Sequence, residues 1–556
     1  MSHVYMIDLR KLCVRKPIRN ISLLTLLSAM LLAFAAAPLC AQTYTDLYEF
    51  NCTTSTGCLP GDNGHLVQWT DGNLYGTTTG GGTFNHGTIF KVSTTGVYSD
   101  VYDFTGTTDG YAPAAALTMA TLDGNLYGTT IGGGAFNNGV LFRFNPTTST
   151  FTVLHNFTAA ESSPLIAPVE AKDFNLYGTA QSGATYRLRV KTGTYQPLPN
   201  LAPNVPNSPL YVASDGFMYG TSQLGGVNNL GTVYRMNTKG NIQVIHSFDG
   251  SDGSEPRGSL VQAGPSLWGT TYFQGGVADA GTIFQISLSP PFLLTTVHVF
   301  DNTDGDSPTA GITAASNGNL YGTTTYGGTN LVGTIFQVSG GVFSHLFDFA
   351  DPGDTGVSGA YPYTTLVEDT NGLLYGLTNG GGANFDGVFY SLTVPSFTSN
   401  ITLCCNWWLI LDQPVTILGQ GLTGVVSVQF GSVQARFQPG SDTYLTAFVP
   451  STVIDAPVTV TLATGLQLQS QQSTHVLPKI TNLDPSSGAV GTQVNIVGGG
   501  FAGTTSVAFG GVPTGNFVVV TPAMIQATVP AGAKTGKVEV ITPNGAAAST
   551  QIFTVN

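Results

Sequence analysis

The chain has 556 residues, with 18 Lys and Arg against 31 Asp and Glu, and only 9% of its positions are charged. Glycine fills 71 positions, well above the ~7% of an average chain. Each glycine inside a helix costs about 1 kcal/mol relative to alanine, so a sustained helical architecture is excluded. An apolar content of 42% with 10% aromatics is too high for disorder, and a net charge of −13 repels phosphate, so nucleic acid is not an expected partner.

The chain opens with Arg10, Lys11, Arg15, Lys16 and Arg19, followed by the apolar run ISLLTLLSAMLLAFAAAPL and then Cys40-Ala41-Gln42. A basic flank, a short apolar stretch and a small residue at its end predict a secretory signal over residues 1–41, cleaved near Ala41. The alternatives are a retained membrane anchor and a lipid-modified Cys40, the latter disfavoured by the bulky Leu39 before it. Without five basic residues and Asp8, the remainder carries 13 basic against 30 acidic residues, a balance of −17. No later run reaches the length of a membrane span, so the mature chain is expected to be soluble or surface-associated. Secretion favours disulfides. Cys52 and Cys58 bracket a short polar loop that a bridge would close, whereas the adjacent Cys404 and Cys405 are read as a strained vicinal pair, as partners of other cysteines, or as buried thiols. No cysteine has zinc-site spacing with histidines.

From residue 43 onward a short signature recurs: DGNLYGTT at Asp71, DGNLYGTT at Asp123, FNLYGTA at Phe174, DGFMYGTS at Asp215, PSLWGTT at Pro265, NGNLYGTTT at Asn317 and NGLLYGLT at Asn371. Its aromatic falls at Tyr75, Tyr127, Tyr177, Tyr219, Trp268, Tyr321 and Tyr375, at intervals of 52, 50, 42, 49, 53 and 54. Seven units of this size, rich in β-branched and aromatic residues, predict one four-stranded blade each. In the fifth unit the strands are read as SLVQA, SLWGTT, GTIFQIS and TTVHVF, divided by Gly- or Pro-bearing turns. Six units join the second and third strands through GG, four residues and G, beginning at Gly81, Gly133, Gly225, Gly275, Gly327 and Gly381. The third unit has a shortened loop. Such turns need positive φ or a close backbone approach, which explains the glycines without a phosphate.

The fourth-strand pattern appears first as YTDLYEF at Tyr44–Phe50, before any complete unit, while the last unit stops after its third strand, Asp386–Leu392. Pairing the two closes a ring and removes two strand edges. The expected fold is all-β: a seven-bladed β-propeller over 42–394, closed by an N-terminal strand, with an open solenoid as the runner-up. LYGTTxxGG followed by GTIFxV resembles the Gloeo–Verruco (GloVer) repeat of secreted bacterial choice-of-anchor tandem repeat proteins. The resemblance covers about residues 44–394. It implies a place outside the cell and supplies no catalytic residues.

After residue 395 the texture changes to short alternating strands. DPSSG, GTQVNIVGGGF, VAFGGV and TVPAGAKTGKVEV over 478–556 resemble the IPT/TIG immunoglobulin-like domain, and the strand spacing independently predicts a β-sandwich. Residues 395–477 look like a degenerate copy, in which ITLCCNWWLILD replaces the usual opening. Some IPT/TIG domains bind DNA. Here only Lys479, Lys534 and Lys537 stand against Asp484 and Glu539, which is no basic face.

The chain has no HExxH, Walker A loop, GxSxG elbow or CxxC pair. His155, His246 and His298 share one repeat position, which Tyr48, Tyr102 and Phe347 occupy elsewhere, so half-buried packing explains them better than metal binding. Acidic turns follow the fourth strands and fall on the same face as the GG-x4-G loops. The candidate ligand-binding face therefore comprises Phe84, His86, Asp109, Phe136, Asp249, Asp252, Asp301, Asp304, Asp306, Asp351, Asp354 and Phe385. Asp-Gly is also ordinary turn chemistry, and no acid run has the spacing of a calcium loop. No cofactor is expected, with calcium the one metal considered at these turns.

Two functions compete. The first is a non-catalytic extracellular binding or scaffolding protein, with a glycan or protein partner and the sandwiches as stalk. The second is a polysaccharide-degrading propeller enzyme. Its centre should appear as a departure from the repeat, and the departures are Glu161, the shortened third unit with Arg187, Arg189 and Lys191, and the Glu255–Pro256–Arg257 insertion.

Overall fold

The computed structural model describes residues 42–556 except 53–55, 61–64, 114, 163, 202–204, 277, 351–358, 395–399 and 405–406. The expected leader, Asp351, Asp354 and Cys405 lie outside the described residues. Apart from two short 3-10 turns, Ala159–Glu161 and Leu422–Gly424, the regular elements among the described residues are β-strands.

Residues 43–393 form seven main antiparallel sheets among the described residues, one for each aromatic signature. In the fifth unit the strands are Val261–Ala263, Ser266–Thr271, Thr282–Ser287 and Leu294–Val299, in sequence order across the sheet. The signature accounts for itself chemically. Asp71 accepts bonds from the Asn73 amide and from the Tyr75 hydroxyl, at 2.8 and 2.9 Å, so one carboxylate closes the turn and anchors the following strand. Asp123, Asp173 and Asp215 hold Tyr127, Tyr177 and Tyr219 in the same way. The glycine after the tyrosine lies opposite an aromatic on the third strand, as with Gly76 and Phe90, Gly128 and Phe142, and Gly220 and Tyr234. A Cβ on Gly128 would fall 2.6 Å from the end of the Phe142 ring, so the ring covers the glycine and no side chain fits beneath it. The next residue, threonine, reaches sideways: Thr77 Oγ1 donates to the Ala115 carbonyl of the following sheet at 3.0 Å, and Thr129, Thr221 and Thr270 donate likewise to Pro164, Gly258 and Ala310.

These sideways bonds continue around a closed ring. Gln181 of the third unit donates to Asn207 of the fourth, Thr325 of the sixth to the Pro362 carbonyl of the seventh, and His65 of the first pairs with Thr365 of the seventh. The N-terminal strand Thr43–Glu49 runs antiparallel to Val388–Thr393 and supplies the outer strand that the last sheet lacks. The expected disulfide, Cys52–Cys58, is formed just beyond that strand.

Two sandwiches follow. In the first, a sheet of Thr402–Leu403, Pro414–Leu418, Tyr444–Phe448 and Arg436–Pro439 packs on one containing Val425–Phe430 and Val458–Leu462 around Ile417, Val428, Phe430, Leu445 and Val460. Its opening, which the sequence left uncertain, places Trp408–Leu409 parallel to His475–Val476. Cys404 is buried and disulfide-bonded. The second sandwich is built on Val494, Ile496, Phe509, Ile525, Val538 and Phe553, and Asn544 joins it to Asp455 and to the Val476 carbonyl of the first.

The first sandwich covers the ring face that carries the DGN turns. Thr443 donates to the Thr70 carbonyl at 2.8 Å, Asn400 and Gln471 both donate to Glu368 at 2.9 Å, and Cys404, Leu418 and Tyr444 pack with Tyr75, Leu117 and Leu126 of the ring. Below them a cavity of about 350 Å³ lies along the inner strands. His65 faces it, and burial lowers its pKa to about 4. Asp369 is fully buried beside this seam, and burial raises its pKa to about 6.

Two outcomes follow. Gly128→Ala should destabilise the ring by about 1–3 kcal/mol through forced displacement of Phe142, whereas Gly515→Ala, which meets nothing within 4 Å, should leave denaturant unfolding unchanged. For Asp369 the folded chain keeps its proton to about pH 6, while the unfolded chain releases it near the ordinary value of 3.8. Its contribution is therefore present below about pH 4 and lost as pH rises through 6. Asp369→Asn should match the parent at pH 4 and exceed it by up to about 3 kcal/mol at pH 8, as read by urea unfolding across that range.

Candidate functional site

The face opposite the first sandwich is built from GG-x4-G loops and from the connections between sheets. These two sets bind each other: Gly82 donates to the Thr56 carbonyl, Gly134 to Thr107, Gly275 to Gly250 and Gly328 to Asn302. Within the loops, Asn85, Asn137 and Asn229 adopt φ of 57°, 56° and 55°, and each side-chain oxygen accepts the amide of the first glycine at 3.0–3.1 Å. Asparagine tolerates this left-handed backbone because its short polar side chain bonds locally. The preceding residues, Phe84 and Phe136, are left standing outward, 52% and 60% exposed.

In the sixth and seventh units the left-handed residue is itself apolar, Leu331 and Phe385, both with φ 62° and exposed by 66% and 61%. Val227 of the fourth unit is 89% exposed. A left-handed non-glycine residue without a local bond carries strain of order 1 kcal/mol, so apolar tips are kept here against a local cost. Leu331 and Val227 lie outside the sequence-predicted face, although they occupy the x4 positions of the same GG-x4-G loops as Phe84, Phe136 and Phe385. His86 is half-buried, with its ring 6.0 Å from that of Tyr111.

The acids differ from the expectation of an open acidic face. Asp109 is only 6% exposed and accepts from the Tyr102 hydroxyl at 2.9 Å, the Thr105 amide at 2.9 Å and the Thr105 hydroxyl at 2.5 Å. Asp252 and Asp304 are half-buried, with His246 and His298 at 2.7 and 2.8 Å, and Glu161 faces His155 in the same fashion. The outer-strand tyrosine or histidine and the acid six or seven residues later are thus one structural device, which closes the connection between sheets. The histidine rings also pack: His155 stacks on Tyr195 and His298 on Phe343. Asp306 is half-buried and accepts from Ser307. Asp249 and Asp301 are exposed, but each side chain is folded back on its own turn, and the hydroxyls of Ser251 and Thr303 lead in lowering their pKa values. Among the described residues, no group of three or more His, Cys, Asp or Glu is placed to hold a metal ion.

Toward the ring axis the face loses its regularity. Glu255–Pro256–Arg257 is not an insertion. Leu59, Ala112, Glu255, Ser307 and Tyr361 each precede a proline that enters an innermost strand, and all five adopt φ between 50° and 58°. The departure lies in the side chains. Glu255 accepts from Gln223 and Arg257, both at 2.8 Å, and the Arg257 guanidinium lies 3.6 Å from the centre of the Tyr272 ring. At the equivalent place between the sixth and seventh units stand three tyrosines, with Tyr326 5.6 Å from Tyr361 by ring centres and its hydroxyl 3.3 Å from that of Tyr363. In the third unit the loop is reduced to a tight turn, Gly183 donating to Ala180, and Arg187 is held by Gln196.

The family model of the Gloeobacter/Verrucomicrobia repeat matches residues 34–190 and 178–390. The chain belongs to this repeat family. The IPT/TIG domain matches residues 478–555, the second sandwich. No curated protein matches the chain. Among solved structures, a streptogramin B lyase is similar at 15% identity over 64% of this chain and 99% of that one, with a TM-score of 0.46. Virginiamycin B lyase from Staphylococcus aureus is similar at 16% identity over 64% and 99%, TM-score 0.43. Oligogalacturonate lyase from Vibrio parahaemolyticus is similar at 11% identity over 64% and 98%, TM-score 0.43. Identities this low carry no activity across to this chain.

The Gloeobacter/Verrucomicrobia repeat thus supplies a closed ring whose face opposite the first sandwich combines a rim of apolar loop tips with an inner group of tyrosines and one arginine. Because the acids belong to the frame, Asp109→Ala should lower stability by about 2–3 kcal/mol, leaving the Tyr102 hydroxyl and the Thr105 amide without their acceptor. Thermal unfolding measured beside Asp249→Ala, which should change stability by less than about 0.5 kcal/mol, checks this division.

Proposed function

We propose that this is a non-catalytic binding protein of the cell exterior, in which a seven-bladed β-propeller closed by its N-terminal strand presents the GG-x4-G face to a carbohydrate or protein ligand. The division is leader 1–41, propeller 42–394 and sandwiches 395–477 and 478–556, with the sandwiches as stalk. One observation carries the reading: the first sandwich is bound to the opposite face through Thr443, Asn400 and Gln471, while the remaining face holds Phe84, Phe136, Val227, Leu331 and Phe385 outward. Five of the six GG-x4-G loops carry such a tip, and this recurrence within one kind of loop marks the face as the candidate interaction surface. Val97, Leu293 and Val342 are exposed to a similar degree beside turns elsewhere in the ring. Aliphatic tips beside phenylalanines weigh toward a protein ligand, and the tyrosines nearer the axis suit either class.

The exterior location rests on the basic and apolar N-terminal sequence and on the Cys52–Cys58 disulfide, which persists in oxidising surroundings. Among the described residues, no helix is long and apolar enough to cross a membrane. The competing reading, a polysaccharide-degrading enzyme, has two acids near the ring axis that depart from the repeat among the described residues: Glu255, engaged by Gln223 and Arg257, and Asp306, bonded to Ser307.

Residues 42–556 applied to glycan and peptide arrays should bind a restricted set of ligands. Changing Phe84, Phe136 and Phe385 together to alanine should reduce that binding by about tenfold or more. Absence of binding on both arrays would count against the proposal. Polysaccharide turnover abolished by Glu255→Gln would replace it with the enzyme reading.

A further inference from the structure

The seam between the ring and the first sandwich is open along one side. Two cavities, of about 240 and 550 Å³, share Tyr211, Ser214, Gln262, Gln472 and His475, and so form one cleft. Ligand sites favour such junctions between domains, and the larger cavity falls in their usual range of about 300–1,000 Å³. Part of the lining is committed to the fold. Gln262 is bound at both ends of its amide by Ser214 and by the Gly264 carbonyl, and the Trp408 ring is covered by His475 at 4.7 Å.

Other groups keep a side free. Trp407 packs partly against the core of the first sandwich and is half-buried in the cleft wall, and among the described residues its ring has no aromatic neighbour and its indole N–H no acceptor. The side chains of Gln472 and Ser473 are exposed and likewise free of hydrogen bonds among the described residues. Asn319 on the ring side is free for a specific reason. In the first three units the corresponding amides, Asn73, Asn125 and Asn175, are held by the aspartate two residues earlier at 2.7–2.9 Å. In the sixth unit that aspartate is Asn317, whose own amide turns to the Tyr321 hydroxyl at 2.8 Å. The carboxylate that would bind Asn319 is gone, and its amide is left at the cleft wall.

The charge in the cleft is compensated. Glu170 accepts from the amide and hydroxyl of Thr121, and His475 faces Asp455 at 3.3 Å. An indole face together with amides and a hydroxyl, each amide able to donate and accept, matches the alternating C–H faces and hydroxyls of a sugar. Among the described residues no lysine or arginine lines the cleft, and the nearest cation, Lys172, lies over the Trp408 ring at 5.5 Å. We infer that this cleft binds a neutral oligosaccharide, with Trp407 as the stacking platform and Asn319 and Gln472 as the hydrogen-bonding groups. The site is distinct from the ring face proposed above and does not depend on it.

Two of the chain's 4 tryptophans, Trp407 and Trp408, line this cleft, so binding has an intrinsic optical signal. Residues 42–556 should be titrated with the hexamers of cellulose, xylan, mannan, laminarin, starch and chitin, and with hexagalacturonate as the charged counterpart. Tryptophan fluorescence and calorimetry are the readouts. At least one neutral hexamer should bind saturably with a Kd below about 1 mM, and hexagalacturonate should not. Trp407→Ala should weaken binding about tenfold. Asn317→Asp, which restores the clamp of the first three units and is compatible with the fold, should weaken it about threefold to tenfold by recapturing Asn319. The combined change of Phe84, Phe136 and Phe385 to alanine should leave it unaltered. Absence of saturable binding by any neutral hexamer, preference for hexagalacturonate, or binding insensitive to both Trp407→Ala and Asn317→Asp would overturn the inference.

Discussion

A glycine covered by an aromatic ring is the contact on which each unit of the ring depends. Phe90, Phe142 and Tyr234 fold across the sheet face over Gly76, Gly128 and Gly220, so that each ring occupies the space into which a Cβ would project. The ring thereby fills the space that a pair of ordinary side chains would occupy, and the sheets pack on one another through aromatic faces. In four units the residue before this glycine is tied to the turn aspartate, and in four the residue after it is tied to the neighbouring sheet. The turn, the strand register, the core and the junction with the next sheet are thus set within one short stretch, such as Asp71–Thr77. That concentration of tasks explains why this stretch repeats more faithfully than the rest of the unit.

Once the ring is closed, its two faces have different fates. The DGN turns present regular backbone that the first sandwich recognises, and Glu368 and Thr443 sit in that contact. The loops of the other face are held by their own glycines and asparagines, which leaves their remaining positions to vary without disturbing the sheets. Apolar tips, the arginine against Tyr272 and the three tyrosines between the sixth and seventh units all occupy such positions. The same logic applies to the cleft, where one exchange of aspartate for asparagine at 317 alters which groups are bound and which are available.

Repetition made some features legible and concealed others. The strands of the fifth unit, the closing role of Tyr44–Phe50 and the Cys52–Cys58 bridge were readable because hydrophobic alternation and unit counting fix them. The histidines were correctly read as packed residues. Their acidic partners were not foreseen, because a turn aspartate looks the same in sequence whether it faces water or caps a connection. Asp109 and Asp252 show the difference: the carboxylate chooses the tyrosine or histidine on the preceding strand over solvent, since that side chain is already held at hydrogen-bonding distance.

The sequence by itself determined the all-β class, the unit count, the strand that completes the last sheet and the IPT/TIG character of the C-terminus. All of these follow from local periodicity and from backbone groups that must be paired within each unit. Only the tertiary structure decided which face of the ring the first sandwich covers, which acids are consumed as turn acceptors and where a cleft opens beside Trp407. Those outcomes depend on contacts between residues hundreds of positions apart, such as Thr443 with Thr70 and Gln471 with Glu368, and no pattern within a single unit encodes them.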